Sequence, residues 1–291
     1  TSGSTGAPKG VCYEHGMFEA QVAAIREEYG IEPGEVDLPM LPIFALFNPA
    51  LGMTTIVPEI NPSKPATVDP AKIVQAIEQN GVTNSFGSPV LWKKIGAYCE
   101  ARQKRLPSLK RILMAGASAP PGLMRQFQGI LDGGHTYSPY GATEVLPVAS
   151  IRDREVVGEA AERTARGMGT CVGRPLAGVE VRILELSDEV LESAALERNL
   201  GPGEIGEIVV TGPSVTKQYH ELPEATRRAK IVDKGKTWHR MGDLGYFDDE
   251  GRLWFCGRKA ERVDTGRAVF YSDCCEGVFN RMPGVFRTAL I

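Results

Sequence analysis

Between residues 11 and 150 the chain switches repeatedly between helical and strand patterning, and this alternation limits its fold more than any other feature. Gly16 to Tyr29 places Phe18, Val22, Ala23 and Ile25 at helical spacing. Val36 to Pro42, Met53 to Pro58 and Lys110 to Met114 read as short buried strands. Asp69-Pro70 opens a helix, with Asp69 as the cap and Pro70 at the first helical position, and Asn80-Gly81 closes it. Pro89 to Glu100 and Pro121 to Leu131 read as two further helices. Strands separated by helices predict a parallel sheet and an α/β class. After about residue 170 the pattern changes. Gly178 to Leu184, Gly206 to Thr211, Gly245 to Phe247 and Arg252 to Cys256 are short strands with turn residues between them, which predicts a mostly antiparallel, barrel-like subdomain. Two charged insertions, Arg152 to Arg166 and Ser187 to Asn199, are expected to be solvated helices or loops.

Composition narrows the function classes. Of 291 residues, 42% are hydrophobic and 24% charged, a globular balance that excludes disorder, collagen and coiled coil. With 33 basic against 36 acidic residues and a net charge of -3, no nucleic-acid partner is expected. The most apolar stretch, Phe44 to Val57, is interrupted by Asn48, Pro49 and Gly52, so no membrane span is expected. The start lacks a signal-peptide pattern, and the six cysteines form no Cys-x-x-Cys. Both points favour reduced thiols in a cytoplasmic protein. The chain opens inside a Gly/Ser/Thr loop and stops in an apolar segment, so it is expected to be part of a longer protein.

Three motifs carry chemistry. In Thr1 to Gly10, TSGSTGAPKG, glycines free the backbone to turn N–H groups toward a phosphate, hydroxyls add donors and Lys9 adds a point charge. This is not a Walker A loop, because Pro8 precedes the lysine and Gly10 follows it. A flexible linker is disfavoured by Pro8-Lys9-Gly10 running into strand-like Val11 to Tyr13. In the second motif, Tyr140-Gly141-Ala142-Thr143-Glu144, placed in a loop after Pro139, the ring can stack on a base, the hydroxyl can bond phosphate and the carboxylate can hold a hard cation. In the third, His239 to Lys259, Asp243 between glycines can accept both hydroxyls of a ribose and Arg258 can reach the same nucleotide. Turn chemistry accounts for Asp248 and Asp249, but not for Gly242-Asp243 with Gly257-Arg258. Gly201 to Gly206 fits GxGxxG literally, yet it precedes a strand, so it reads as a turn.

In this order and spacing the three motifs resemble the adenylate-forming superfamily of acyl-CoA synthetases, luciferases and peptide-synthetase adenylation domains. Gly116-Ala117-Ser118-Ala119-Pro120 looks like its adenine-side loop, and Gly206 to Gly212 like its barrel strand. The resemblance implies the later part of the large domain: an α/β nucleotide-binding subdomain over 1–170, a β-rich subdomain over 171–257, and a hinge with the start of a lid domain over 258–291. It implies ATP and Mg2+, with a nucleotide site where the α/β and β parts join. Thr1, Ser2, Gly3, Ser4, Thr5, Gly6 and Lys9 would hold phosphates. Gly116, Ala117, Ser118, Tyr140, Gly141 and Ala142 would hold adenine, and Thr143 the α-phosphate. Thr5 and Glu144 would ligate the metal, and Asp243 and Arg258 would hold the ribose. Lys9, Thr143 and Glu144 are the implied catalytic set.

Some positions depart from the superfamily pattern. Ala45 stands where most acyl-CoA synthetases carry histidine, Met241 replaces threonine, Ala260 replaces the hinge Asp or Lys, and Asp264 falls where a lysine is usual. With VDLPMLPIFALFNPALG and WFCGRKAERV, these departures resemble the olefin-biosynthesis β-lactone synthetases. That branch implies a 2-alkyl-3-hydroxyalkanoic acid whose own hydroxyl closes onto the activated carboxyl. It also implies pathway partners: a thiolase-like condensing enzyme, a reductase and a lactone-processing enzyme. A long-chain acyl-CoA ligase and a catalytically silent nucleotide-binding module are the alternatives. Phe44, Phe47, Phe86, Gly87, Pro89 and Trp92 either line an acyl slot or form ordinary core.

Overall fold

The computed structural model describes residues 1, 7–61, 64, 67–285 and 287–291. It divides into an α/β unit, Val22–Pro139 with Ile151–Gly158, and a β-rich unit, Thr1–Gln21 with Tyr140–Ser150 and Glu159–Ile291.

Helix α1 (His15–Tyr29) leads into the α/β unit, where strands and helices alternate: β1 (Val36–Asp37), α2 (Asn48–Leu51), β2 (Thr54–Thr55), α3 (Pro70–Asn80), β3 (Asn84–Gly87), α4 (Pro89–Ala101), β4 (Arg111–Met114), α5 (Pro121–Ile130), the start of β5 (His135–Ala142), and α6 (Asp153–Glu155). The strands pair in parallel in the order β2-β1-β3-β4-β5. Ile73 and Ile77 of α3, Leu91, Trp92 and Ile95 of α4, and Met124 and Phe127 of α5 are buried in its core. Helix α3 begins and ends as the sequence predicts: the Ala71 N–H donates to Asp69 at 2.9 Å, and Gly81 takes a left-handed φ of +57°.

The first two strands are shorter than expected. Leu38 and Met40 still donate to Asn84 and Phe86 carbonyls, but Pro42 has no N–H to extend the ladder and opens a 3-10 turn, Pro42–Phe47. Part of the insertion Arg152 to Arg166 is not solvated. Asp153 is buried, accepts from Gln128 at 3.2 Å and lies 3.2 Å from the His135 ring nitrogen.

The β-rich unit holds β6 (Val145–Arg152) as far as Ser150, then β7 (Thr170–Pro175), β8 (Glu180–Leu184), β9 (Gly206–Thr211), β10 (Lys230–Asp233), β11 (Lys236–Phe247) and β12 (Leu253–Arg258), with a small pair, β13 (Val263–Asp264) and β14 (Val269–Phe270). Its helices are α7 (Ala161–Thr164), α8 (Pro223–Ala229) and α9 (Ser272–Phe279). The antiparallel order is β6-β7-β12-β11-β9-β8, with β10 beside β11. Val145, Val148, Ile208, Val210, Met241 and Leu253 form its core, so Met241 packs as a hydrophobe.

Strand β11 runs twelve residues, far beyond the expected Gly245 to Phe247. Gly242, which precedes the expected strand, takes φ +67° where the register shifts between Arg240 and Leu244, a bulge inside a continuous strand. Ser187 to Asn199 is also partly structural: Leu196 is buried and the Ser187 carbonyl accepts from Arg240 at 2.6 Å. Among the described residues no helix is long and apolar enough to cross a membrane, and the six cysteines are unbridged.

Candidate active site

Two polar clusters lie within the β-rich unit. The first joins β11, β12 and the end of β5. Asp243 stands opposite Arg258 in the β11–β12 ladder, and Arg258 donates to its carboxylate at 2.7 Å. The Tyr140 hydroxyl donates to the other oxygen at 2.6 Å, and the Tyr140 ring tilts against Phe255 with centroids 6.2 Å apart. Burial pushes the Asp243 pKa up to about 6, against the lowering effect of Arg258 and Tyr140. The same burial, with the carboxylate beside it, holds Tyr140 protonated well above its ordinary range. The expected loop placement of the second motif is corrected here: Tyr140, Gly141 and Ala142 are on strand β5, and only Thr143 and Glu144 form the turn. Gly141 is needed there, since a Cβ would sit 2.8 Å from the Val145 carbonyl oxygen.

The second cluster surrounds Glu144. Its buried carboxylate accepts from the Tyr219 hydroxyl at 2.5 Å. Its carbonyl accepts from both the N–H and the hydroxyl of Thr216, at 2.9 and 3.0 Å. The Tyr13 hydroxyl donates to the Thr143 carbonyl at 2.5 Å. Lys9 extends its ammonium over the Tyr219 ring, 5.0 Å from the centroid. The segment carrying Lys9 is tied to the loop before α8: Val11 bridges Tyr219, and the His220 N–H donates to the Gly10 carbonyl. The Lys9 N–H also donates to the Thr1 hydroxyl at 2.9 Å. One phenol, Tyr219, therefore touches both Lys9 and Glu144.

Ser2, Gly3, Ser4, Thr5 and Gly6 lie outside the described residues. Gly116, Ala117 and Ser118 follow β4 in the α/β unit, where Gly116 takes φ +88° with open space around it. In that unit Phe44 stacks on Phe86, with centroids 3.4 Å apart, while Trp92 is core, edge-on to Phe127. Gly87 has no room for a side chain, since a Cβ would meet Met40 at 2.6 Å and the Trp92 indole nitrogen at 3.0 Å. The sequence assigned no role to Tyr13, Thr216, Tyr219 or Lys230, nor to His239 beyond opening the third motif. Thr216 and Tyr219 share the polar loop after β9, and that is the only local signal they offer.

This chain belongs to the AMP-binding enzyme family, whose sequence profile matches residues 1–220. Its relatives narrow the likeness further. Olefin beta-lactone synthetase of Stenotrophomonas maltophilia is 45% identical over 297 residues, covering 100% of this chain and 53% of the relative. Feruloyl-CoA synthase of Amycolatopsis is 32% identical over 298 residues, covering 100% of this chain and 55% of the relative. The chain thus spans about half the length of these curated relatives. Among solved structures, O-succinylbenzoate coenzyme A synthetase of Bacillus subtilis in complex with ATP and magnesium ion is 26% identical, with TM-score 0.77, over 99% of this chain and 55% of that one.

Proposed function

We propose that the whole protein activates a 2-alkyl-3-hydroxyalkanoic acid with ATP and closes it to a β-lactone in the cytoplasm. The observation that carries the first half is the convergence of Lys9 and Glu144 on Tyr219, in the same unit as the Tyr140–Asp243–Arg258 cluster. These residue types fit a magnesium nucleotide. Mg2+ is commonly held by one or two carboxylates together with substrate phosphates. Glu144 supplies one such oxygen from its buried carboxylate. Bound there, the ion would neutralise phosphate charge. Lys9 contributes a fixed ammonium for the polyphosphate, Thr143 a donor for the α-phosphate, and Asp243 with Arg258 an acceptor and a donor for the ribose. Thr5, Gly116, Ala117 and Ser118 keep the roles that the family resemblance gives them.

In the first step a substrate carboxylate oxygen bonds to the α-phosphorus, and the bond to the leaving pyrophosphate breaks. In the second, the substrate's 3-hydroxyl oxygen bonds to the acyl carbon, the acyl–AMP bond breaks, and the hydroxyl proton is lost as AMP departs. Closure needs no second substrate, because the nucleophile is tethered. Support for closure over thioester formation comes from Ala45 and Asp264 and from the 45% identity to a β-lactone synthetase. The 32% identity to a feruloyl-CoA synthase keeps acyl-CoA ligation as the second reading. Mass spectrometry of products from a 3-hydroxy acid and ATP, with and without CoA, separates them. A lactone formed without CoA supports closure; a thioester in place of lactone supports ligation.

A further inference from the structure

A second buried lysine stands beside the Glu144 cluster without a role in the scheme above. Lys230 opens β10, is 7% exposed, and pairs in register with His239 on β11. Its ammonium makes one hydrogen bond among the described residues, to the Thr216 hydroxyl at 3.3 Å. Thr216 in turn donates to the Glu144 carbonyl, so Lys230 is one side chain removed from the turn that bears Glu144. The groups acting on it come from three directions: Glu144 from the β5–β6 turn, Thr216 from the loop after β9, and His239 from β11.

The charges of this cluster do not cancel. Burial first, then the charge of Lys230, and in smaller part that of Lys9, push the His239 pKa well below its ordinary range, so the imidazole is neutral. Burial lowers Lys230 to about 8, leaving it mainly protonated at neutral pH, and the attraction of Glu144 supports that form. Glu144 thus attracts the Lys230 ammonium from beyond Thr216, and Lys9 lies over the Tyr219 ring whose hydroxyl donates to Glu144. Among the described residues only one Lys230 donor is used. A buried cation in surplus is costly until an anion completes it.

Resting on the adenylation reading, we propose that Lys230 is a second polyphosphate-binding cation, acting with Lys9 on the β- and γ-phosphate end of ATP and on pyrophosphate as it leaves. Two ammonium groups suit a polyphosphate whose charge is redistributed during the step, since each offers three donors to its oxygens.

A nucleotide series separates the phosphate end from the adenosine end. The whole protein and its Lys230→Met and Lys230→Arg variants are titrated calorimetrically with AMP, inorganic pyrophosphate and ATP in the presence of Mg2+. Losing one charge-assisted contact predicts that Lys230→Met binds pyrophosphate and ATP about 10- to 100-fold more weakly. AMP affinity should stay within about twofold, and Lys230→Arg should recover most of the loss, because arginine restores charge and donors. Unchanged pyrophosphate and ATP affinity in Lys230→Met overturns the proposal. So does a parallel loss of AMP affinity that Lys230→Arg does not repair, which marks a structural role. If the unaltered protein binds none of the three, the adenylation reading itself falls.

Discussion

In the ribose-binding role proposed for it, Asp243 makes nucleotide binding depend on pH. Its pKa is raised from 3.8 to about 6. Above pH 6 it is an anion, the better acceptor for ribose hydroxyls; as pH falls through 6 it takes up a proton and accepts less well. AMP affinity of the whole protein is therefore expected to drop about two- to fourfold between pH 7.5 and roughly pH 5.5, because about a quarter of Asp243 is still ionised at the lower pH. In Asp243→Asn the affinity should be low throughout and nearly flat with pH, as calorimetry at several pH values would reveal. Glu144 makes a different prediction. Glu144→Gln keeps an acceptor for Tyr219 but removes the charge, so the Mg2+ concentration giving half-maximal pyrophosphate release should rise by about tenfold or more. An unchanged metal dependence would leave Glu144 a structural role only. Lys9, Tyr140, Glu144, Asp243 and Arg258 stood out in the sequence because glycines and like chemistry surround them. Lys230 did not, since its pairing with His239 depends on the β10–β11 register and leaves no trace in local spacing.

Among the elements, α3 and β11 mark the limits of sequence reading. Everything that begins and ends α3 is local: Asp69, Pro70 and Gly81. Asp69→Ala should lower stability by about 1 kcal/mol, measured by denaturant unfolding, because the Ala71 N–H loses its cap. In β11 the deciding interactions are long-range: β9 on one side and β12 on the other carry the chain through the Gly242 bulge. The same reason explains why Tyr140 to Ala142 read as loop and fold as strand. There the test is Gly141→Ala. Its added Cβ would lie 2.8 Å from a backbone oxygen and 2.9 Å from Leu146, and a backbone oxygen cannot swing aside. The expected cost is about 1–3 kcal/mol, as for overpacking elsewhere. AMP affinity should fall with it, because the strand end carrying Tyr140 and the Thr143–Glu144 turn must shift. Full stability with unaltered binding would show that the turn tolerates the methyl group.

For the whole molecule, the question is which nucleophile ends the reaction. Ala45 occupies the 3-10 turn Pro42–Phe47 next to Phe44, which stacks on Phe86, so this segment presents carbon where many acyl-CoA synthetases present an imidazole. Asp264 lies in the short strand β13, its carboxylate accepting from the Gly266 N–H at 2.8 Å; this turn brings a negative side chain where a lysine is usual. Neither change weakens an internal hydroxyl, which needs orientation and not capture. Well-oriented intramolecular reactions reach effective concentrations of ~10^5 M, so even a small fraction of that would outcompete millimolar thiol. Ring strain opposes closure, but the adenylate is a good leaving group, and closure requires the site to keep water from intercepting it. The prediction is a stall. Given the matching acid without its 3-hydroxyl, the whole protein should release one pyrophosphate per site in a burst and then stop, with acyl-adenylate retained. Adding CoA should not restart it. Quenched-flow counting of pyrophosphate, with mass spectrometry of the bound intermediate, reads both points. Steady turnover of the deoxy acid to a CoA thioester, with no lactone from the hydroxy acid, would replace ring closure by ligation while leaving the adenylation roles proposed for Lys9, Glu144 and Asp243 in place.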